Sequence, residues 1–180
     1  MIKNHHQLIH FLSHQARWRS ANFLSKDQYP IEYWQWLNDE HSLTEQLIQL
    51  SESSFNVEVL RQEVDIPLWH EQDVLGQSHH LATTVREVVL SVDAQPVVLA
   101  RSIIPMSLIR SFRSGLTELG TKPLGHLLFT DGRVRVSRRQ FTVLDSPIGQ
   151  IYGRRTPYEY MGSVILVAEF YLPSLMALSS

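Results

Sequence analysis

The chain has 180 residues, of which 43% are hydrophobic and 19% charged, with a formal net charge of −2. That composition excludes disorder, and the length suffices for one domain with a substantial core. The absence of cysteine excludes disulfides, thiolate metal ligands and cysteine nucleophiles, and the near-neutral balance carries no global signature of nucleic-acid binding.

The N-terminal stretch has neither a long apolar run nor a signal-cleavage pattern. No segment is apolar for the roughly 18 residues that a membrane helix needs. A cytoplasmic protein without stable membrane insertion is therefore expected. Residues 1 to about 20 read as an amphipathic helix with a thin stripe of Leu8, Phe11, Leu12 and Ala16. His6, His10 and His14 recur four apart, a spacing that can chelate a metal. No HExxH pattern and no nearby acid accompany them, so they read as solvated histidines and no metal is expected.

Ser20 to Pro30 is polar and turn-rich, a loop. In the helix that follows, Ile31, Trp34 and Leu37 share a face, and the tryptophans read as core. Ser42 and Glu45 form an S-x-x-E capping box, so a helix runs from Leu43 to about Leu50. Its first N–H groups lack intrahelical acceptors and carry the positive end of the helix dipole, which suits a carboxylate.

Phe55, Val57 and Val59 alternate with polar residues as a half-buried strand, and residues 64–80 read as a long connection. Leu81–Val92 and Val97–Ile104 read as a hairpin about the turn Asp93-Ala94-Gln95-Pro96, with Arg86 on the face of Thr84, Val88 and Leu90. Ser107–Leu119 is predicted to be a helix closed by Gly120. A short helix opens at Pro123-Leu124, placing the Leu124 N–H at a second helix start. Arg133–Leu144 reads as a strand whose parity changes at Arg138-Arg139, a bulge. Asp145–Pro157, with Pro147, Gly149 and Gly153, reads as a loop.

Val164–Leu172 is the closing strand, stopped by Pro173, and Glu169 stands in its middle. Both faces of that strand are apolar, so the carboxylate must be paired, hydrogen-bonded or protonated. Arg86 is its expected partner. Nine Arg and one Lys lie between residues 101 and 155 against Glu118, Asp131 and Asp145. This excess fits a small anionic ligand, because arginine forks match planar carboxylates. A nucleic-acid surface on the Arg133–Arg139 stretch lacks aromatic residues until Phe141, and no nucleic-acid partner is expected. Five to six strands joined by hairpins and short helices make an α+β protein with an antiparallel sheet. No P-loop, GxGxxG or GxSxG pattern is present.

Several stretches, taken in order, resemble a known family. Leu119-Gly120-Thr121-Lys122-Pro123-Leu124-Gly125-His126-Leu127-Leu128-Phe129 is similar to the LGxxPLGxxLF stretch of bacterial chorismate pyruvate-lyases. So are Arg86-Glu87-Val88-Val89-Leu90 with Val97 to Pro105, Gly153-Arg154-Arg155, and Glu169-Phe170-Tyr171-Leu172-Pro173, with Trp36-Leu37 and Ser42-Leu43-Thr44 before them. The resemblance spans residues 31–173. It implies a single antiparallel sheet of about six strands with helices packed on one side, and one chorismate lyase-like domain over 1–180 whose residues 1–30 are a helical extension.

The resemblance further implies conversion of chorismate to 4-hydroxybenzoate and pyruvate, the first committed step of ubiquinone biosynthesis, without a cofactor and with the product in an enclosed cavity. A monomer is expected. The ligand-binding positions it implies are Leu43, Arg86, Leu124 and Glu169, with Arg86 and Glu169 catalytic. Whether Glu169 acts as a base or only orients the substrate stays open. Arg154 or Arg155 is expected to face the enolpyruvyl carboxylate. Relatives often have Met where Leu43 stands, and residues 130–160 match weakly outside the Gly-Arg-Arg triplet. The alternative is a non-catalytic, small-acid-binding effector module of the same fold, as in GntR-type regulators. Those normally follow a winged helix-turn-helix, for which the roughly 30 preceding residues are too few.

Overall fold

The computed structural model describes residues 4–21, 29–76, 81–111, 124, 128 and 132–178. Its strands are β1 (Arg19–Ser20), β2 (Phe55–Asp65), β3 (Thr83–Val92), β4 (Gln95–Pro105), β5 (Arg135–Val136), β6 (Gln140–Ser146), β7 (Gly149–Tyr160) and β8 (Ser163–Tyr171). They form one antiparallel sheet in the order β1-β6-β7-β8-β4-β3-β2, with β5 beside β7. Six strands are long and two are two-residue bridges, as the α+β expectation requires.

Alternation divides the sheet into two apolar faces. The first carries Val88, Leu90, Val98, Ala100, Phe141, Tyr152 and Tyr171. Helices α2 (Ile31–Asn38), α3 (Leu43–Leu50) and α6 (Pro173–Leu178) cover it through Leu37, Leu43, Leu47 and Leu175. Helix α5 (Met106–Ser111) and the helical residues Leu124 and Leu128 extend this layer over Ile104, Tyr158 and Ile165. The second face carries Val89, Leu99, Ile151, Ala168 and Phe170 beneath Leu8, Ile9 and Leu12 of helix α1 (His5–Gln15). Leu75 of α4 (Trp69–Leu75) completes it over Val85, Ile103 and Leu166.

Helices thus lie on both faces rather than on one. A sheet with two apolar faces must have both covered. The stretch expected as an N-terminal extension supplies that cover: α1, capped by the Asn4 side chain, buries four residues in the core.

Other boundaries also differ. The connection at 64–80 is shorter than expected, because β2 runs to Asp65 and α4 occupies 69–75 before Gly76 ends it with φ +60°. His79 and His80 lie outside the described residues, as does the predicted helix beyond Ser111. The stretch expected as a loop before Pro157 is instead most of β7, the strand between β6 and β8. Pro157 is tolerated there because its neighbour strand is interrupted at Ser137–Arg139, where the ladder passes from β6 to β5. The bulge expected at Arg138-Arg139 is therefore a full break, which divides the strand predicted over 133–144 into β5 and β6. Among the described residues no helix is long and apolar enough to cross a membrane.

Candidate functional site

The first face of the sheet holds a cavity of about 50 Å³, room for a few waters. Strand register brings its polar residues together. Arg86 of β3 stands opposite Ser102 of β4, Ser102 opposite Val167 of β8, and Glu169 opposite Ala100, two residues along. Leu43 and Thr44, the first residues of α3, close one side, and Leu124 and Leu128 another. Tyr158 of β7 and the apolar Val57, Val88 and Leu90 complete the lining. All four expected ligand-binding residues, Leu43, Arg86, Leu124 and Glu169, therefore line one cavity.

Each is held for a local reason. Arg86 is only 2% exposed, and its Nη1 donates to Gln62 Oε1 across the β2–β3 ladder at 2.5 Å. Burial pushes its guanidinium below the ordinary arginine value. At α3 the Ser42 hydroxyl accepts the Glu45 N–H and caps the helix start, and the first helical residues Leu43 and Thr44 line the cavity. Leu124 is helical and buried.

Glu169 is not paired with Arg86. Their strands are separated by β4, about 10 Å of sheet. The partner of Glu169 is Arg154, directly opposite it on β7, which donates Nε to Oε2. Arg154 is 2% exposed. Its Nη1 also donates to the carbonyls of Trp36 at 3.0 Å and Asp39 at 2.8 Å, where α2 ends. Burial opposes the charge of this guanidinium, but the Glu169 carboxylate outweighs it and raises the pKa above the ordinary arginine value. Burial, reinforced by Glu169, pushes the Tyr158 hydroxyl up to about 12.

Gly153 explains the first letter of the Gly-Arg-Arg triplet. A Cβ there would stand 3.0 Å from the Glu169 carbonyl and 3.1 Å from Phe170 Cδ1 and Thr142 Cγ2. Only glycine lets β7 close on the strand that carries Glu169.

Arg154 and Arg155 do not both face a ligand. Neighbours in a strand point to opposite faces, and Arg155 lies under α1 and α4 with Nε on Gln140 at 2.6 Å, Nη1 on His70 Nδ1 at 3.0 Å, and its guanidinium carbon 5.0 Å from the Trp18 ring centre. Burial pushes its pKa down to about 10. On that same face Arg101 bridges Glu71 at 2.8 Å and Glu87 at 2.6 Å, a buried clamp between α4 and β3. Burial opposes the charge of Arg101, and the two carboxylates outweigh it. Both arginines lie on the face of the sheet opposite the cavity. Arg154 itself is committed to Glu169 and to α2, so it does not stand open to a second carboxylate.

Sequence reasoning missed Gln62, Ser102 and Tyr158. The turn at residues 93–96 nearly identifies Ser102 as the partner of Arg86. A register shift between Leu90 and Ser91 moves the pairing by one and hides it.

Comparisons with known proteins bear on the family and the fold. A family model described as chorismate lyase matches residues 12–178, reaching back into α1. A probable chorismate pyruvate-lyase of Pseudoalteromonas atlantica is 34% identical over 175 residues, covering 89% of this chain and 88% of the relative. One from Pseudomonas putida is 36% identical over 166 residues, covering 88% and 91%. Among solved structures, PhnF from Mycobacterium smegmatis matches with a TM-score of 0.59 at 14% identity, over 77% of this chain and 66% of that one. The ligand-binding domain of a putative GntR-family transcriptional regulator from Bordetella bronchiseptica matches with a TM-score of 0.53 at 15% identity, over 67% and 83%. At such identities the likeness is one of fold alone.

Proposed function

The chain belongs to the chorismate lyase family, and on that premise we propose that it is a carbon–oxygen lyase converting chorismate to 4-hydroxybenzoate and pyruvate. The observation that carries this reading is the cavity with a buried arginine and a helix start at one end, and a carboxylate fixed by its own arginine at the other. A para-substituted ring acid has that polarity. Arg86 and the N–H groups of Leu43 and Leu124 hold the ring carboxylate. Glu169 accepts the hydrogen of the C4 hydroxyl and orients the ring.

The chemistry balances without a cofactor. The C3–O bond breaks, the hydrogen on C4 passes to the enolpyruvyl methylene, and the ring electrons close the aromatic sextet. The enol ether becomes the keto group of pyruvate. Aromatisation drives the step, so the protein contributes orientation, charge placement and exclusion of water. We place the reaction at the first committed step of ubiquinone biosynthesis, carried out by a cytoplasmic monomer.

The deciding experiment incubates purified protein with EDTA and chorismate and follows 4-hydroxybenzoate and pyruvate together. Equal appearance of both is the expected result. Saturable thermal stabilisation by chorismate without turnover would instead support the effector-module reading.

A further inference from the structure

Chorismate is a dianion, and the cavity residues assigned above account for only its ring carboxylate. On the Glu169 side Arg154 is committed to Glu169 and the end of α2, and Arg155 faces the other side of the sheet. One more guanidinium reaches this end. Arg139 lies in the interruption between β5 and β6, and its Nη1 donates to the carbonyls of Asn38 and Asp39. The Asp39 carbonyl is also an acceptor of Arg154 Nη1, so the two guanidiniums meet at one oxygen, and Arg154 joins directly to Glu169.

The Nε of Arg139 is buried and has no hydrogen-bond partner. A buried donor without an acceptor is costly, and a carboxylate oxygen is the natural acceptor for it. Two acids close by do not fill that role. The Asp39 carboxylate is turned to the backbone N–H and ring of His41, and Glu169 is held by Arg154. Arg139 also lines an open groove of about 620 Å³ with Asn38, Glu40 and Arg138.

The charges point the same way. Arg139 and Arg154 meet at the Asp39 carbonyl, beside the Glu169 carboxylate that Arg154 holds. Chorismate brings two negative charges, whereas 4-hydroxybenzoate brings one. Burial and the neighbouring Arg154 both lower the pKa of Arg139, a strain that an arriving anion relieves.

We propose that Arg139 binds the enolpyruvyl carboxylate of chorismate, making it the residue that distinguishes the dianionic substrate from the monoanionic aromatic product. This rests on the lyase reading above. It also gives the product a way out: once pyruvate has formed, the second carboxylate is no longer tied to the ring, and only the Arg86 end retains 4-hydroxybenzoate.

The test compares wild type, Arg139→Gln and Arg139→Lys in the full chain, measuring KM and kcat for chorismate and, by calorimetry, Kd for 4-hydroxybenzoate. A lost charged hydrogen bond corresponds to about 10–100-fold in affinity. Arg139→Gln is expected to raise KM for chorismate by about that factor while Kd for 4-hydroxybenzoate changes less than about threefold. Arg139→Lys, which keeps the charge and a donor to the α2 carbonyls, is expected to fall between. Parallel losses for both ligands in both variants would show that Arg139 only holds the loop after α2, and unchanged values would remove it from the site; either overturns the proposal. Failure of wild type to turn over chorismate would sink the lyase reading. Calorimetric affinities for chorismate and 4-hydroxybenzoate in the same three proteins would then decide the role of Arg139 by the same criterion.

Discussion

At the scale of single residues, the cavity depends on where buried charges find their partners. Arg154 satisfies Glu169 and the end of α2 at once. Removing one member of a buried pair leaves the other uncompensated, at a cost of about 3–5 kcal/mol, whereas replacing both with apolar groups is far milder. Arg154→Met is therefore expected to lower stability by about that amount in urea unfolding. The double variant Arg154→Met/Glu169→Leu is expected to recover much of the loss while producing no 4-hydroxybenzoate. If the two losses simply add, the pair is not the unit described. The need for a partner was legible from Glu169 alone, since an acid in an apolar strand demands one. Its identity was not. Arg86 and Arg154 both stand in the chain, and only the strand order puts Arg154 beside Glu169.

At the scale of elements, α4 shows how a helix is clamped to a sheet by charge. Glu71 caps its own helix by accepting the Leu68 N–H at 2.8 Å and also pairs with Arg101. Next to it His70 accepts from Arg155 through Nδ1 and donates to the Ser13 carbonyl through Nε2, each at 3.0 Å, which joins α4 to α1. Those contacts require the neutral ring protonated on Nε2. Burial accordingly pushes the His70 pKa below its ordinary 6.5. The unfolded chain then binds the proton more readily, so this contribution to stability is present above about pH 6.5 and is lost as pH falls below it. The melting temperature is expected to drop between about pH 7 and pH 5, and His70→Gln is expected to flatten that slope. An unchanged slope in the variant would assign the acid sensitivity elsewhere. Element boundaries were legible where one signal dominated, as at the Ser42 cap and the Asp93 turn. They failed at β7, where Gly149, Gly153 and Pro157 look like loop punctuation. There the glycine serves close packing between strands, and the proline sits at a ladder gap.

At the scale of the whole molecule, the sheet brings residues 43, 86, 124 and 169 around a space open to only a few waters. Release of a product held in such a space is a step that can limit turnover. A ligand held in such a cavity binds only the folded chain. With 4-hydroxybenzoate at about 100 times its Kd the gain is about 2.7 kcal/mol, which corresponds to a rise in Tm of about 5–10 °C for a chain of this size. Thermal melts with the product, and with benzoate lacking the 4-hydroxyl as comparison, check this. An equal shift by benzoate would remove Glu169 from the contact.

The amino-acid sequence by itself determined the α+β class, the antiparallel hairpins, the capped start of α3 and the presence of a buried acid and a buried arginine in apolar strands. Each of these rests on local periodicity or on chemistry within a few positions. The tertiary structure decided which arginine meets Glu169, which neighbour in the Arg154-Arg155 pair turns to which face, and that α1 belongs to the core. Those outcomes depend on strand order and register between segments far apart in the chain. A shift of one residue in register exchanges the two faces of a strand, and no local pattern encodes it.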